Sequence, residues 1–223
     1  MANTYIAIIG DFINSKQLKE RQSAQEKLVA TLSEINSAFL DSLSCKFTIT
    51  LGDEFQGLLH QGENLLTIIE RIETALHPVK IRFAIGIGTI STAIDPTNPL
   101  SSDGPAFYHA RDAINQLKTK AAKNKVVPTN ITLKSAANSN TDELINSLFA
   151  YLYQTKTRWT VRQRAVIDCY RQNNEKQKET AIKLGVNQSS VQRALQAAGY
   201  YTYKNTVVSL TTYFSQIGVK ENV

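Results

Sequence analysis

Two acids and a row of glutamines are the residues of this chain best placed to do chemistry. Asp11 closes an apolar run from Thr4 to Phe12, and Asp53 follows Gly52 between two apolar runs. Carboxylates that converge from a strand end and a hairpin can hold magnesium or manganese, since such ions keep several waters and need few protein ligands. An ion held this way bridges nucleotide phosphates and stabilises the charge that develops in phosphoryl or nucleotidyl transfer. Much later in the chain, Gln188, Gln192 and Gln196 recur one helical turn apart, beside Ser189, Ser190 and Arg193. Glutamine can pair with adenine and arginine with guanine in the major groove, while hydroxyls at a helix start suit phosphate contacts. The pattern predicts double-stranded DNA as a partner. The histidines His60, His77 and His109 are scattered and show no zinc spacing.

Those residues need elements to position them. Thr4 to Phe12 reads as a buried strand. Leu28, Leu32, Ile35, Phe39 and Leu43 recur at steps of four and three, an amphipathic helix. Phe47, Ile49 and Leu51 alternate with threonines, and Gly52-Asp53 turns that strand into the one from Phe55 to Leu59. Leu65, Ile69, Ile72 and Leu76 make a second helical stripe, stopped by Pro78; Val79 to Ile90 is a strand containing Gly86 and Gly88. Thr92 to Pro105 is a loop, a helix runs from about Ala106 to Ala122, and Val126 to Leu133 is an edge strand because Pro128 weakens a central one. The order is the split β-α-β arrangement of ferredoxin-like folds, with the first strand central and Asp11 near the hairpin tip. Ser135 to Thr141 reads as a linker. Beyond it, helices are expected over Thr160 to Asn173, Glu175 to Leu184 and Gln188 to Ala198, with Gly185 turning the chain and Asn187 capping the third. Ala181, Gly185 and Val191 have the spacing of a helix-turn-helix. Val191, Ala194, Leu195 and Ala198 form its inward stripe, and Trp159 reads as a core anchor. Tyr200, Tyr201 and Tyr203 with Lys204 suit either a wing against DNA or packing under a last helix.

The stretch from Lys46 to Phe55, ending in Leu51-Gly52-Asp53-Glu54-Phe55, resembles the hairpin of class III nucleotide cyclases and the end of the GGDEF signature of diguanylate cyclases. Ile9-Gly10-Asp11-Phe12-Ile13 is similar to their first palm strand. Phe83 to Ser91 and Gly104-Pro105-Ala106-Phe107 with Ala110-Arg111 resemble the glycine strand and the helix start that contacts nucleotide. The resemblance implies metal ligands at Asp11 and Asp53 and nucleotide contacts at Gly86, Gly88 and Arg111. Tyr108 and Asp112 depart from the cyclase pattern and put its transition-state contacts in doubt. Gly86-x-Gly88 is not a dinucleotide fingerprint, because Ser91 replaces the third glycine. IGDFINSK, LGDEFQG and the C-terminal helix-turn-helix together resemble the SatD family over nearly the whole chain, which implies two domains more firmly than a reaction.

Composition agrees. The chain has 223 residues, 42% hydrophobic and 20% charged, a globular balance long enough for two small domains. Residues 1–150 carry 14 Lys and Arg against 15 Asp and Glu, a balance of −1; residues 151–223 carry 11 against 4, a balance of +7. Positive charge confined to one end is the footprint of a nucleic-acid module on a neutral body. With no signal-peptide pattern, no membrane-length apolar run and only Cys45 and Cys169, a cytoplasmic protein without a disulfide framework is expected. The expected fold class is α/β, of the α+β kind: a ferredoxin-like palm domain over 1–138 and an all-α helix-turn-helix domain over 139–223. The expected function is a DNA-binding regulator whose palm senses or processes a nucleotide with magnesium. Two alternatives stay open: a nucleotide cyclase or nucleotidyltransferase localised by its helix-turn-helix, and a palm used only to form a homodimer. No residue is assigned a catalytic role.

Overall fold

The computed structural model describes residues 3–18, 20–124, 129–136 and 139–218. Strands β1 (Tyr5–Phe12), β2 (Leu43–Leu51), β3 (Glu54–Leu59), β4 (Ile81–Gly88) and β5 (Ile131–Ser135) form one sheet in the order β2-β3-β1-β4-β5. β1 is central and antiparallel to β3 and β4, and only β5 runs parallel to its neighbour. This is the expected split β-α-β arrangement with one strand added, in a mixed α+β fold. β1 alternates across the sheet: Ile6, Ile8 and Phe12 join one core, while Ala7 and Ile9 join another on the opposite face.

Helices α1 (Arg21–Ala38) and α2 (Leu65–Leu76) cover the first face. The apolar stripe expected to run on to Leu43 stops earlier, because Leu43 is needed opposite Leu59 as the first residue of β2. A short turn at Leu40–Ser42 makes the reversal. Helix α3 (Pro105–Asn124) lies on the second face, where small residues let it approach. A Cβ on Gly86 would fall inside 3.0 Å of the Ala106 carbonyl oxygen and the Ala110 nitrogen, so only glycine fits under this helix.

The expected edge strand at Val126 to Leu133 is displaced: β5 begins at Ile131, and residues 125–128 lie outside those described. The expected linker Ser135 to Thr141 is also partly outside them, at residues 137–138, as is the expected boundary between 138 and 139. Helix α4 (Ser139–Thr157), which the sequence reading did not anticipate, follows and packs on β5. Its Asn146 side chain bonds the backbone of Leu133 at both N–H and carbonyl, and Asp142 accepts from the Ser135 N–H and hydroxyl. Side chains thus satisfy the free edge of β5, as Asn36 does for Phe47 at the other edge.

Helices α5 (Val161–Gln172), α6 (Gln177–Leu184), α7 (Gln188–Ala197) and α8 (Tyr200–Ser215) complete the chain. Their apolar residues, with Phe149 of α4 and Trp159 before α5, continue the first core: Ile167, Val191, Leu195, Tyr203 and Phe214 belong to the same cluster as Phe83 and Ile85. Two acids one turn apart on α2 grip this part from below, Glu70 pairing with Arg171 and Glu73 with Lys156. Glu73 also accepts from the Asn130 amide. Tyr200, expected at a wing or under a last helix, opens α8 and is fully buried; its hydroxyl accepts from Arg171 and donates to Glu175. Burial pushes that hydroxyl up to about 12, so it stays protonated and able to donate.

Candidate functional site

Alternation along three adjacent strands puts Glu54, Asp11 and Arg82 on the α3 face at one end of the sheet. Asp11 sits opposite Arg82 in the β1–β4 register, and Glu54 is one step beyond the Gly10–Phe55 pair. Arg82 Nη1 lies 3.4 Å from Asp11 Oδ2. From above, α3 lowers Lys118 between the two acids, 3.1 Å from Asp11 and 3.7 Å from Glu54. Arg111, two turns earlier on the same helix, pairs with Glu54 and donates to Gln56 Oε1 at 3.2 Å. Burial raises the Asp11 carboxyl above its ordinary value, Lys118 and Arg82 pull it down, and Asp53 raises it, so the two aspartates feel each other's charge.

Asp53 is placed by the hairpin tip. Gly52 takes φ +65°, a conformation that favours glycine, and its carbonyl accepts from Gln25 of α1 at 3.1 Å. Asp53 is 9% exposed; Oδ1 lies 3.6 Å from Arg21, while Oδ2 is buried with no hydrogen-bond partner among the described residues. A buried carboxylate oxygen left bare is costly unless something else satisfies it. A bare carboxylate oxygen of this kind suits a small hard cation, which needs no more than one or two carboxylates beside phosphate and water. Among the described residues, no group of three or more His, Cys, Asp or Glu could hold a metal ion. The surroundings are basic as well: Arg21, Arg82, Arg111 and Lys118 outnumber Asp11, Asp53 and Glu54. The arrangement suits a cation that arrives with an anion.

The second constellation lies on α5, α6 and α7. Thr160 and Gln163 cap α5 reciprocally, at 3.2 and 2.9 Å. Gly185 ends α6 in the left-handed conformation, and the Asn187 side chain caps α7 through the Ser190 N–H at 2.8 Å. Val191 and Leu195 are fully buried beneath α7, and Ala198 and Ala194 pack beside them. Gln188, Ser189, Gln192, Arg193 and Gln196 are exposed on the other side. Gln188 donates to Gln177 at 3.4 Å, which donates to the Tyr201 hydroxyl at 2.9 Å, so α6 and α8 orient the first glutamine. Trp159 anchors the module from inside, its Nε1–H donating to the Ala198 carbonyl at 2.8 Å.

The model of the SatD family matches residues 5–211. The chain belongs to the SatD family. Comparison with curated proteins gives no match. Among solved structures, a bacterial light-regulated adenylyl cyclase is similar at 14% identity and a TM-score of 0.39, over 60% of this chain and 76% of that one. A regulator of polyketide synthase expression from Bifidobacterium adolescentis is similar at 12% identity and a TM-score of 0.29, over 97% and 81%.

In this SatD-family chain the structure brings Asp11 and Asp53 to the same end of the sheet, Asp11 against Arg82 and Lys118 and Asp53 toward Arg21 of α1, and sets Arg111 on Glu54. It adds three residues that the sequence reading did not assign to the site: Glu54, Arg82 and Lys118. Their signals were present but weak, since Arg82 shares the face of Ala84 and Gly86, and Lys118 follows Arg111 by two helical turns. Gly86 and Gly88 need correction as nucleotide contacts. The space a side chain would take at each is filled by α3 backbone, with Ala106 N 2.8 Å from a Cβ on Gly88. Ser189 and Ser190, expected to touch phosphate, both donate to Asn187 Oδ1, at 2.9 and 2.7 Å. Their hydrogens are used in capping, so as placed they offer phosphate no donor. No described helix is long and apolar enough to cross a membrane.

Proposed function

We propose that this protein is a DNA-binding regulator whose palm-like half takes up a nucleotide with magnesium or manganese at Asp11 and Asp53. The observation that carries the DNA reading is the division of α7: Val191 and Leu195 are wholly buried, while Gln188, Gln192, Arg193 and Gln196 stand exposed on one face of a capped helix that follows a tight turn. A recognition helix meets the major groove in this way, offering amides to adenine. The balance of +7 over residues 151–223 supplies attraction to phosphate.

For the palm, the support is the bare Asp53 Oδ2 at the end of the sheet that carries Asp11, with Arg21 near Asp53 and with Arg82 and Lys118 near Asp11. A divalent ion there would bridge phosphate oxygens and neutralise their charge. Arg111 and Lys118 are positioned to exchange Glu54 for phosphate oxygens. The cyclase or nucleotidyltransferase reading draws on the same oxygen and is the alternative. Incubation with each nucleoside triphosphate and manganese, followed by product analysis, separates them. The regulator predicts no turnover faster than the Asp53→Asn variant, and the enzyme predicts turnover that this variant loses. Selection from a random duplex pool with the full chain tests the DNA reading. An enriched sequence that shifts in Gln192→Ala supports it, and a pool left unenriched refutes it.

A further inference from the structure

Between α5 and α7 lies an open cleft of about 410 Å³. Arg162 of α5 and Arg193 of α7 line it together with Ser190, above apolar groups that include Ala165, Val191 and Ala194. No acidic residue lines it, and neither arginine meets a carboxylate among the described residues. Arg193 makes one weak bond, from Nε to the carbonyl of Ser189 at 3.4 Å. The other arginines of α5 are engaged, Arg171 with Glu70 and Arg164 with the Lys156 carbonyl and the face of Trp159, and on α8 Lys204 pairs with Glu175.

Two exposed guanidiniums with no carboxylate partner, facing one hollow, present positive charge to an incoming anion. Guanidinium is the side chain best shaped for bidentate contact with phosphate. The Ser190 hydroxyl is already donated to Asn187, so the arginines must make the contact. Arg193 neighbours Gln192 on the exposed face of α7, so whatever fills the cleft lies alongside what that face reads. A duplex whose major groove admits α7 brings a phosphate strand past this point, and a sugar ring suits the apolar floor.

We propose that the α5–α7 cleft is a phosphodiester clamp: Arg162 and Arg193 hold one backbone phosphate of the DNA strand bordering the groove that α7 enters. The inference rests on the DNA reading of α7 and adds Arg162, on a different helix, to the contact surface. It fixes register and contributes affinity without reading sequence.

The test is a salt titration of the full chain on its selected duplex and on an unrelated duplex, with wild type, Arg162→Ala, Arg162→Lys and Ala165→Glu. Ala165 is exposed, so the last change puts an acid in the cleft without disturbing the core. Arg162→Ala should weaken both duplexes alike, by roughly tenfold, and reduce the slope of log K against log salt by about 0.9. Arg162→Lys should regain most of the slope, and Ala165→Glu should weaken both duplexes further. Pyrophosphate should compete only at millimolar level; competition at micromolar level would make the cleft a small-anion site and overturn the clamp. If wild type binds DNA and Gln192→Ala changes its sequence preference, but Arg162→Ala and Ala165→Glu change neither affinity nor slope, the clamp alone is wrong. If wild type binds no duplex, the DNA reading and the clamp fall together.

Discussion

Replacing Gly86 with alanine should damage the fold and the acidic corner together. The new methyl would fall inside 3.0 Å of backbone atoms Ala106 O and Ala110 N and lie 2.9 Å from the Ala110 Cβ, where ordinary contact begins near 3.4 Å. No side-chain rotation can relieve a clash with backbone, so α3 must back away from β4 by about an ångström, at an overpacking cost of about 3 kcal/mol. In a chain of this length that corresponds to a fall in Tm of roughly 6–12 °C. Because α3 carries Arg111 and Lys118, the same movement loosens the contacts to Glu54 and Asp11. Gly185→Ala is the matched control: it has φ +65° and nothing within 4 Å, so it feels only backbone strain, about 1–2 kcal/mol. Denaturant unfolding followed by circular dichroism compares the two. A Gly86→Ala loss equal to or below that of Gly185→Ala would show that α3 is not pressed onto β4 as described.

Glu73→Ala removes the ion-pair partner of Lys156 and one of the two acceptors of the Asn130 amide, and should cost about 2 kcal/mol in the same assay; the Lys156 side chain keeps 25% exposure, which holds the loss below the roughly 3–5 kcal/mol of a fully buried pair. Trp159→Phe deletes the bond to the Ala198 carbonyl and part of the contact with Tyr203, with an expected loss of about 2 kcal/mol by chemical denaturation. Since one hydrophobic cluster spans the sheet and the C-terminal helices, wild-type unfolding followed by the fluorescence of Trp159, the single tryptophan, should coincide with unfolding followed by circular dichroism. If the nucleotide regulates DNA binding, saturating magnesium–nucleotide should change duplex affinity by about 5- to 150-fold in wild type and not in Asp53→Asn; DNA should change nucleotide affinity by the same factor. Equal affinities in all four titrations would remove the coupling.

Much of this was legible because short-range patterns set it. β1 is a continuous apolar run, α2 repeats Leu65, Ile69, Ile72 and Leu76, and Gly185 with Asn187 writes the turn before α7 directly into the chain. Helix α4 was missed because exposed Leu144 and Tyr151 blur the narrow stripe of Ile145, Phe149 and Leu152. The glycines of β4 signalled close approach, yet not what approaches; a helix twenty residues later filled that space. Glu54 looked like an ordinary strand residue until β1 and α3 delivered Asp11, Lys118 and Arg111 around it. Such contacts join residues 57 to 107 positions apart, and no local period records them.

The central claim is that the exposed face of α7 reads a DNA sequence. Equilibrium binding of the full chain to its selected duplex and to a scrambled one, at one fixed salt concentration, tests it most directly when repeated with Gln188→Ala/Gln192→Ala/Gln196→Ala. Wild type should favour the selected duplex by about a thousandfold or more, and the triple variant should lose most of that ratio while still binding both duplexes weakly through phosphate contacts. A ratio near one in wild type, or an undiminished ratio in the triple variant, would contradict the account.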